Sequence, residues 1–342
     1  MKAIIRKEYE TPASLMLKEV KRPEPKPNEI LVKVLAASVN KADWHLLRGK
    51  PFPVRLMAGF FKPKNLILGA DIAGIVERVG SEVTQFRPGD EVYGELSGSG
   101  FGGFAEYVTT DEKRLAKKTS NLTYEETAAL PIASITALQG LRDKGKIKAG
   151  QEVLINGASG GVGSYAIQIA KAYGAQVTAV CSTTKVENAL NQGADHVIDY
   201  TVQDFTKHKK QYDLIFDVVG NHSVTAISRV LKRNGYYVSC AFSMGAILLG
   251  PWKTLTEKKK MISLLASANQ ADLQTISKLA EEGRLKPFIE KSFTLDDVPE
   301  ALQIIGKGRS AGKLVITIQC VSNIADYFTK KKVKLSLQKM TV

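Results

Sequence analysis

Val153-Leu154-Ile155-Asn156-Gly157-Ala158-Ser159-Gly160-Gly161-Val162-Gly163-Ser164 joins a short run of β-formers to an Ala- and Ile-rich stretch that reaches Tyr173, with glycines recurring at 157, 160 and 163. Glycines without Cβ let backbone N–H groups approach a pyrophosphate, and a helix N-terminus places partial positive charge beside it. A turn between strand and helix is the context that such a dinucleotide fingerprint requires. Outward from it lie a second strand, Gln176 to Cys181, a helical stretch to Gln192, a third strand near His196 to Asp199, and further strands at Leu214 to Val219 and Tyr236 to Ala241. This alternation predicts an α/β fold with a doubly wound parallel sheet and right-handed crossovers. Ser159, Gly160, Gly161 and Val162 are the candidate phosphate-binding residues, and Val219 is a further cofactor candidate at a strand end.

The end of the second strand discriminates between nicotinamide cofactors. An acid there would accept from a ribose 2′-OH and repel a 2′-phosphate. Cys181-Ser182-Thr183-Thr184-Lys185 instead offers hydroxyl donors and a cation. The expectation is NADPH, held in part by Ser182 and Lys185, although Lys185 also reads as an ordinary exposed helix residue.

The 342 residues predict two or three domains, and 44% hydrophobic with 24% charged residues excludes collagen-like, disulfide-scaffold and disordered classes. The net charge of +14 favours anionic partners. No recognition motif for nucleic acid accompanies it, so nucleic-acid binding is not expected. Cys181, Cys240 and Cys320 form no Cys-x-x-Cys pair, which predicts neither a disulfide framework nor clustered zinc. No apolar run approaches about 20 residues, so no membrane span is expected, and the chain reads as cytoplasmic.

Before residue 122 the chain is β-rich, with runs at Ala3 to Arg6, Glu29 to Ser38, Ala70 to Val79 and Glu91 to Gly94, punctuated by Pro23, Pro25, Pro27 and the turn Arg87-Pro88-Gly89-Asp90. Thr123 followed by Glu126 marks a capped helix start. Phe293 to Ala301 reads as another helix start, and Lys313 to Ile318 as a closing strand. Residues 319–342 carry five lysines against Asp326 and read as a basic tail.

Val39-Asn40-Lys41-Ala42-Asp43, Leu68-Gly69-Ala70-Asp71-Ile72-Ala73-Gly74, Pro88-Gly89-Asp90-Glu91-Val92, Gly103-Phe104-Ala105-Glu106-Tyr107 and the Gly157 to Gly163 turn together resemble the zinc-independent medium-chain dehydrogenases/reductases of the quinone oxidoreductase group. The resemblance covers residues 1 to about 318 and implies a GroES-like β-rich catalytic domain (1–122 and 266–318) around a Rossmann NADP-binding domain (123–265). It further implies no metal: zinc-dependent relatives place a Cys near Asn40 and a His-Glu pair where this chain has Ala70-Asp71. Asn40 maps onto a family Asn near nicotinamide and substrate, Thr136 onto a Thr beside the nicotinamide, and His45 onto a position where some relatives carry Tyr. These three are the catalytic candidates. Tyr200 joins Lys185 at the 2′-phosphate, and Phe242 and Ser243 border the carboxamide. Asp43 is expected to cap the following helix.

The implied reaction is NADPH-dependent hydride transfer to a quinone or α,β-unsaturated carbonyl, an apolar electrophile, by a homodimer. An alcohol dehydrogenase-type carbonyl reductase and a non-catalytic NADPH-responsive binding protein are the alternatives. The apolar stretches Phe52 to Phe61 and Phe242 to Trp252 either line the substrate mouth, pack a dimer surface or close over the core.

Overall fold

The computed structural model describes residues 1–241, 252, 256–308 and 310–318. The expected cofactor residues Phe242 and Ser243, most of the second apolar stretch and the basic tail lie outside the described residues.

Among the described residues, six parallel strands lie in the spatial order His196–Asp199, Gln176–Cys181, Glu152–Asn156, Tyr212–Asp217, Leu231–Ser239, Lys260–Ser263. The order reverses beside Glu152–Asn156, and a crevice opens at the carboxyl ends of the strands on either side of such a reversal. Val153, Leu154 and Ile155 are fully buried, as expected of a central parallel strand covered on both faces. The helix Gly161–Ala172 packs Tyr165, Ala166, Ile167, Ile169 and Ala170 into the core on one face of the sheet.

The second, mixed sheet runs Ile289–Thr294, Lys313–Thr317, Glu29–Val39, Asp71–Val79, Glu91–Glu95, Leu115–Lys117, with Tyr107–Asp111 also pairing Glu29–Val39. The α/β class with a Rossmann sheet and a GroES-like β-rich part therefore stands. The chain returns from the Rossmann sheet to close the β-rich one: Leu314 pairs Val39 and Thr317 pairs Ala36, antiparallel. Helix Gln270–Glu281 bridges the two sheets. Its Leu273 and Ile276 share one core with Tyr93 and Ala116 of the mixed sheet, and the Tyr93 hydroxyl donates to the Leu273 carbonyl at 2.7 Å.

Local signals explain the boundaries. The Thr123 hydroxyl accepts from Glu126 N–H at 3.1 Å while Glu126 accepts from Thr123 N–H at 2.8 Å, so helix Tyr124–Ala128 starts on the expected box. The helix expected after Phe293 starts later: Phe293 and Thr294 complete a strand, a 3-10 turn spans Leu295–Asp297, and the helix runs Val298–Lys307 with Pro299 in its first turn.

Candidate active site

A cleft of about 930 Å³ lies at the carboxyl ends of the parallel strands, walled on one side by the glycine-rich turn and on the other by Asn40 and Lys41, which follow the strand Glu29–Val39, and by Lys313 of the closing strand. The glycines of the turn differ in what requires them. Gly157 holds φ +82°, in the left-handed region. At Gly163 a Cβ would stand 2.2 Å from the Gly157 carbonyl oxygen, so only hydrogen lets the helix begin so close to the strand. At Gly160 the nearest atom to a Cβ is 3.7 Å away, an ordinary van der Waals contact, so a methyl group there would meet no clash. The cradle that a pyrophosphate needs is present, at the N-terminus of a twelve-residue helix.

Ser159, Gly160, Gly161, Val162, Ser182, Lys185, Tyr200 and Val219 all line this cleft. Strand ends bring them together. Ser182 and Lys185 follow Gln176–Cys181, and Tyr200 follows His196–Asp199, its N–H donating to the Cys181 carbonyl at 3.0 Å. Lys185 Nζ reaches across to the Ser310 carbonyl at 3.1 Å. The Val219 turn is shaped by Asp217, whose carboxylate accepts from Val219 N–H at 3.0 Å, Gly220 N–H at 2.9 Å and Asn156 Nδ2 at 2.9 Å. Sequence reading passed over Asp199, an acid adjoining this end. Its carboxylate accepts from the hydroxyls of Thr183 and Thr201, which hold it below the usual carboxylate range.

At the opposite wall, Asn40 is 8% exposed, and its amide is engaged at both ends. Nδ2 donates to Asp71 Oδ2 at 2.9 Å, and Oδ1 accepts from Lys313 Nζ at 2.5 Å. Asp71 also accepts from the Ser38 hydroxyl at 2.8 Å and from Ile132 N–H at 3.0 Å, with Lys313 Nζ 3.4 Å away. Lys313 is 3% exposed. Burial pushes its ammonium below the usual lysine range, against the pull of Asp71 and Asp43. Asp43 caps helix Lys41–Arg48 as expected, accepting from Asn40 N–H at 2.9 Å, and also accepts from Gly69 N–H at 3.2 Å.

Lys313 is the residue that sequence reading missed. The signal was a lysine leading an otherwise apolar closing strand, Leu314-Val315-Ile316. Its position is decided by Gly312, whose N–H donates to the Ser159 carbonyl at 2.9 Å, and by Gly161, where a Cβ would meet Lys313 Cδ at 2.8 Å. The closing strand thus docks on the glycine-rich turn itself.

His45 and Thr136 stand apart from the residues lining the cleft. His45 Nδ1 lies 2.8 Å from the Lys50 carbonyl, and burial lowers its basicity. The Thr136 hydroxyl donates to Ile132 O at 2.6 Å, within its own helix. Phe52 to Phe61 contribute none of the described cleft residues.

Two family profiles match the chain: the alcohol dehydrogenase GroES-like domain over residues 26–120 and the zinc-binding dehydrogenase family over 192–316. The chain is 34% identical over 304 residues to a 2-methylene-furan-3-one reductase of Solanum lycopersicum, covering 86% of this chain and 73% of that protein. It is 32% identical over 328 residues to the NAD(P)H oxidoreductase RTN4IP1, mitochondrial, of Mus musculus, covering 85% of this chain and 82% of the relative. The solved structure of the quinone oxidoreductase from Coxiella burnetii superposes with a TM-score of 0.85 at 30% identity, covering 93% of this chain and 99% of the other.

Proposed function

The chain belongs to the medium-chain dehydrogenase/reductase family, in its quinone oxidoreductase group, and we propose that it is an NADPH-dependent reductase of quinones or α,β-unsaturated carbonyl compounds that works without zinc. The coarse activity, an oxidoreductase, follows from the family. The carrying observation for the finer reading is one continuous cleft that joins the glycine cradle, the Ser182–Lys185–Tyr200 cluster and the Asn40–Lys313 wall.

The glycine-rich turn fits a pyrophosphate, and Ser182, Lys185 and Tyr200 fit a 2′-phosphate. Bound there, NADPH would supply the hydride, and one relative is named an NAD(P)H oxidoreductase. The chain's own residues bind and orient. The Lys313 ammonium, fixed between Asn40 and Asp71, provides positive charge on the cleft wall that would stabilise an acceptor oxygen as negative charge develops on it. His45 and Thr136 act in this reading through the backbone they fasten, and the proton comes from water.

A metal-free reading is supported by the donor set. Asn40 and Ala70 offer no soft or imidazole ligand, and the Asp71 carboxylate is already occupied by Ser38, Asn40 and the Ile132 N–H beside a buried cation. These residues do not fit a zinc ion. The homodimer and cytoplasmic location belong to the same proposal, although one relative is named mitochondrial. Among the described residues, no helix is long and apolar enough to cross a membrane.

The test is oxidation of NADPH and of NADH by a panel of quinones, enones and saturated ketones, with and without chelator. Faster turnover of NADPH with quinones or enones, unaffected by chelator, is expected. Stoichiometric zinc required for turnover would overturn the metal-free reading. Tight NADPH binding without turnover of any acceptor would favour a binding protein.

A further inference from the structure

Between Trp44 and Ala70 the sequence contains no acid and five full cations, Arg48, Lys50, Arg55, Lys62 and Lys64. The same segment carries Phe52, Leu56, Phe60 and Phe61, which are 58%, 65%, 49% and 85% exposed. The rings form one cap: Phe60 lies 5.6 Å from Phe52 and 4.8 Å from Phe61, edge to face. Lys50, Lys62 and Lys64 are exposed in the same segment.

The cap is braced from below. Arg55 stacks over Tyr9 at 4.5 Å and donates to the Gly49 carbonyl at 3.2 Å, the Tyr9 hydroxyl donates to the Gly59 carbonyl, and Lys64 N–H donates to the Ala58 carbonyl at 2.8 Å. Tyr9 and Arg55 therefore fill the inner side while the phenyl rings are held outward. A contiguous apolar surface held in water is a binding feature.

We propose that this cap docks the protein on an anionic phospholipid bilayer, with Phe60 and Phe61 entering the headgroup layer and Lys50, Lys62 and Lys64 meeting lipid phosphates. Aromatic rings flanked by lysines suit that interface, where one end is apolar and the other charged. Charge decides against a second copy as occupant, since a two-fold pairing of the segment brings like charges together with no acid within it to answer them. The inference stands independently of the cleft and its reaction.

The test is co-sedimentation of the full chain with vesicles of phosphatidylcholine alone or with about one third phosphatidylglycerol. Binding to the anionic vesicles is expected to exceed binding to neutral ones by roughly tenfold and to weaken with salt. Phe60→Ser with Phe61→Ser should cut it by roughly tenfold or more, and Lys62→Glu with Lys64→Glu by a similar factor, at unchanged melting temperature. All four side chains face solvent, and if the aromatic pair impairs folding the lysine pair carries the test. Equal binding to neutral vesicles, or anionic binding that both variants retain, overturns the proposal. So does a dimer dissociated by Phe61→Ser without vesicle binding, which would make a second copy the occupant.

Discussion

Lys185 and Lys313 face the cleft from opposite walls, and their environments predict different consequences of removal. Lys185 lies at the strand end that would receive a 2′-phosphate, with its Nζ at the Ser310 carbonyl. Lys185→Ala should weaken NADPH by about 1–3 kcal/mol and NADH far less, measured by fluorescence titration of both cofactors. Equal losses would remove the phosphate assignment. Lys313 is buried against Asp71 and Asn40. Lys313→Met leaves the Asp71 carboxylate without its cation, and breaking such a pair costs about 3 kcal/mol or more. Urea denaturation should show that loss together with impaired turnover. Of this site, Asn40 was legible in sequence because a family motif carries it. Lys313 was not, because its partner Asp71 is 242 residues away and only strand pairing joins them.

The glycine-rich turn separates fold from function within a single element. A Cβ at Gly163 would strike the Gly157 carbonyl, an immovable backbone atom, whereas one at Gly160 meets nothing closer than 3.7 Å. Gly163→Ala should therefore destabilise the protein by at least about 2 kcal/mol. Gly160→Ala should keep stability within about 1 kcal/mol while its methyl occupies the phosphate cradle and weakens cofactor binding. Melting curves alongside NADPH titrations distinguish the two. The strand-turn-helix pattern was readable because it depends on residues within one short stretch. Strand bounds were less so. The fourth and fifth parallel strands run Tyr212–Asp217 and Leu231–Ser239, each beginning earlier than apolar runs alone predict, because Tyr212 pairs Leu231 beyond a register irregularity that leaves Asp213 and the residues between Leu231 and Tyr236 outside the paired positions.

On the scale of the whole molecule, acids buried in the β-rich part tie stability to pH. Burial pushes the Glu95 carboxyl up to about 7, Asp71 adds to the rise, and hydrogen bonds from Ser97 oppose it. Asp43 is likewise pushed up to about 7, chiefly by burial. A carboxyl whose native value is raised holds its proton in the folded state after the unfolded chain has lost its own. Its stabilising contribution is full below the unfolded value near 4.5 and is lost as pH rises through about 7. Stability should fall from about pH 5 to 8, by at most about 1.4 kcal/mol per pH unit for each group. Glu95→Gln should flatten that decline, and melting temperatures across the interval measure it. A slope unchanged in the variant would place the pH dependence elsewhere.

Gly157, Gly160 and Gly163 between a β-run and an Ala-rich run, and the Thr123/Glu126 box, determined by themselves that a strand, a glycine-rich turn and a helix of a Rossmann unit follow a helix start near residue 123. Each depends on neighbours a few residues apart, where backbone sterics and hydrogen-bond reach act directly. Tertiary structure alone decided that Gly312 docks on Ser159, that Lys313 reaches Asn40 and Asp71, and that the rings of Phe52, Phe60 and Phe61 gather at the surface instead of the cleft. Those outcomes depend on antiparallel pairing between Lys313–Thr317 and Glu29–Val39 and on how Tyr9 and Arg55 fill the space beneath the aromatic cap. Contacts between segments so distant in the chain leave no periodicity in it, since their energies are set by which faces meet and not by any local order of residues.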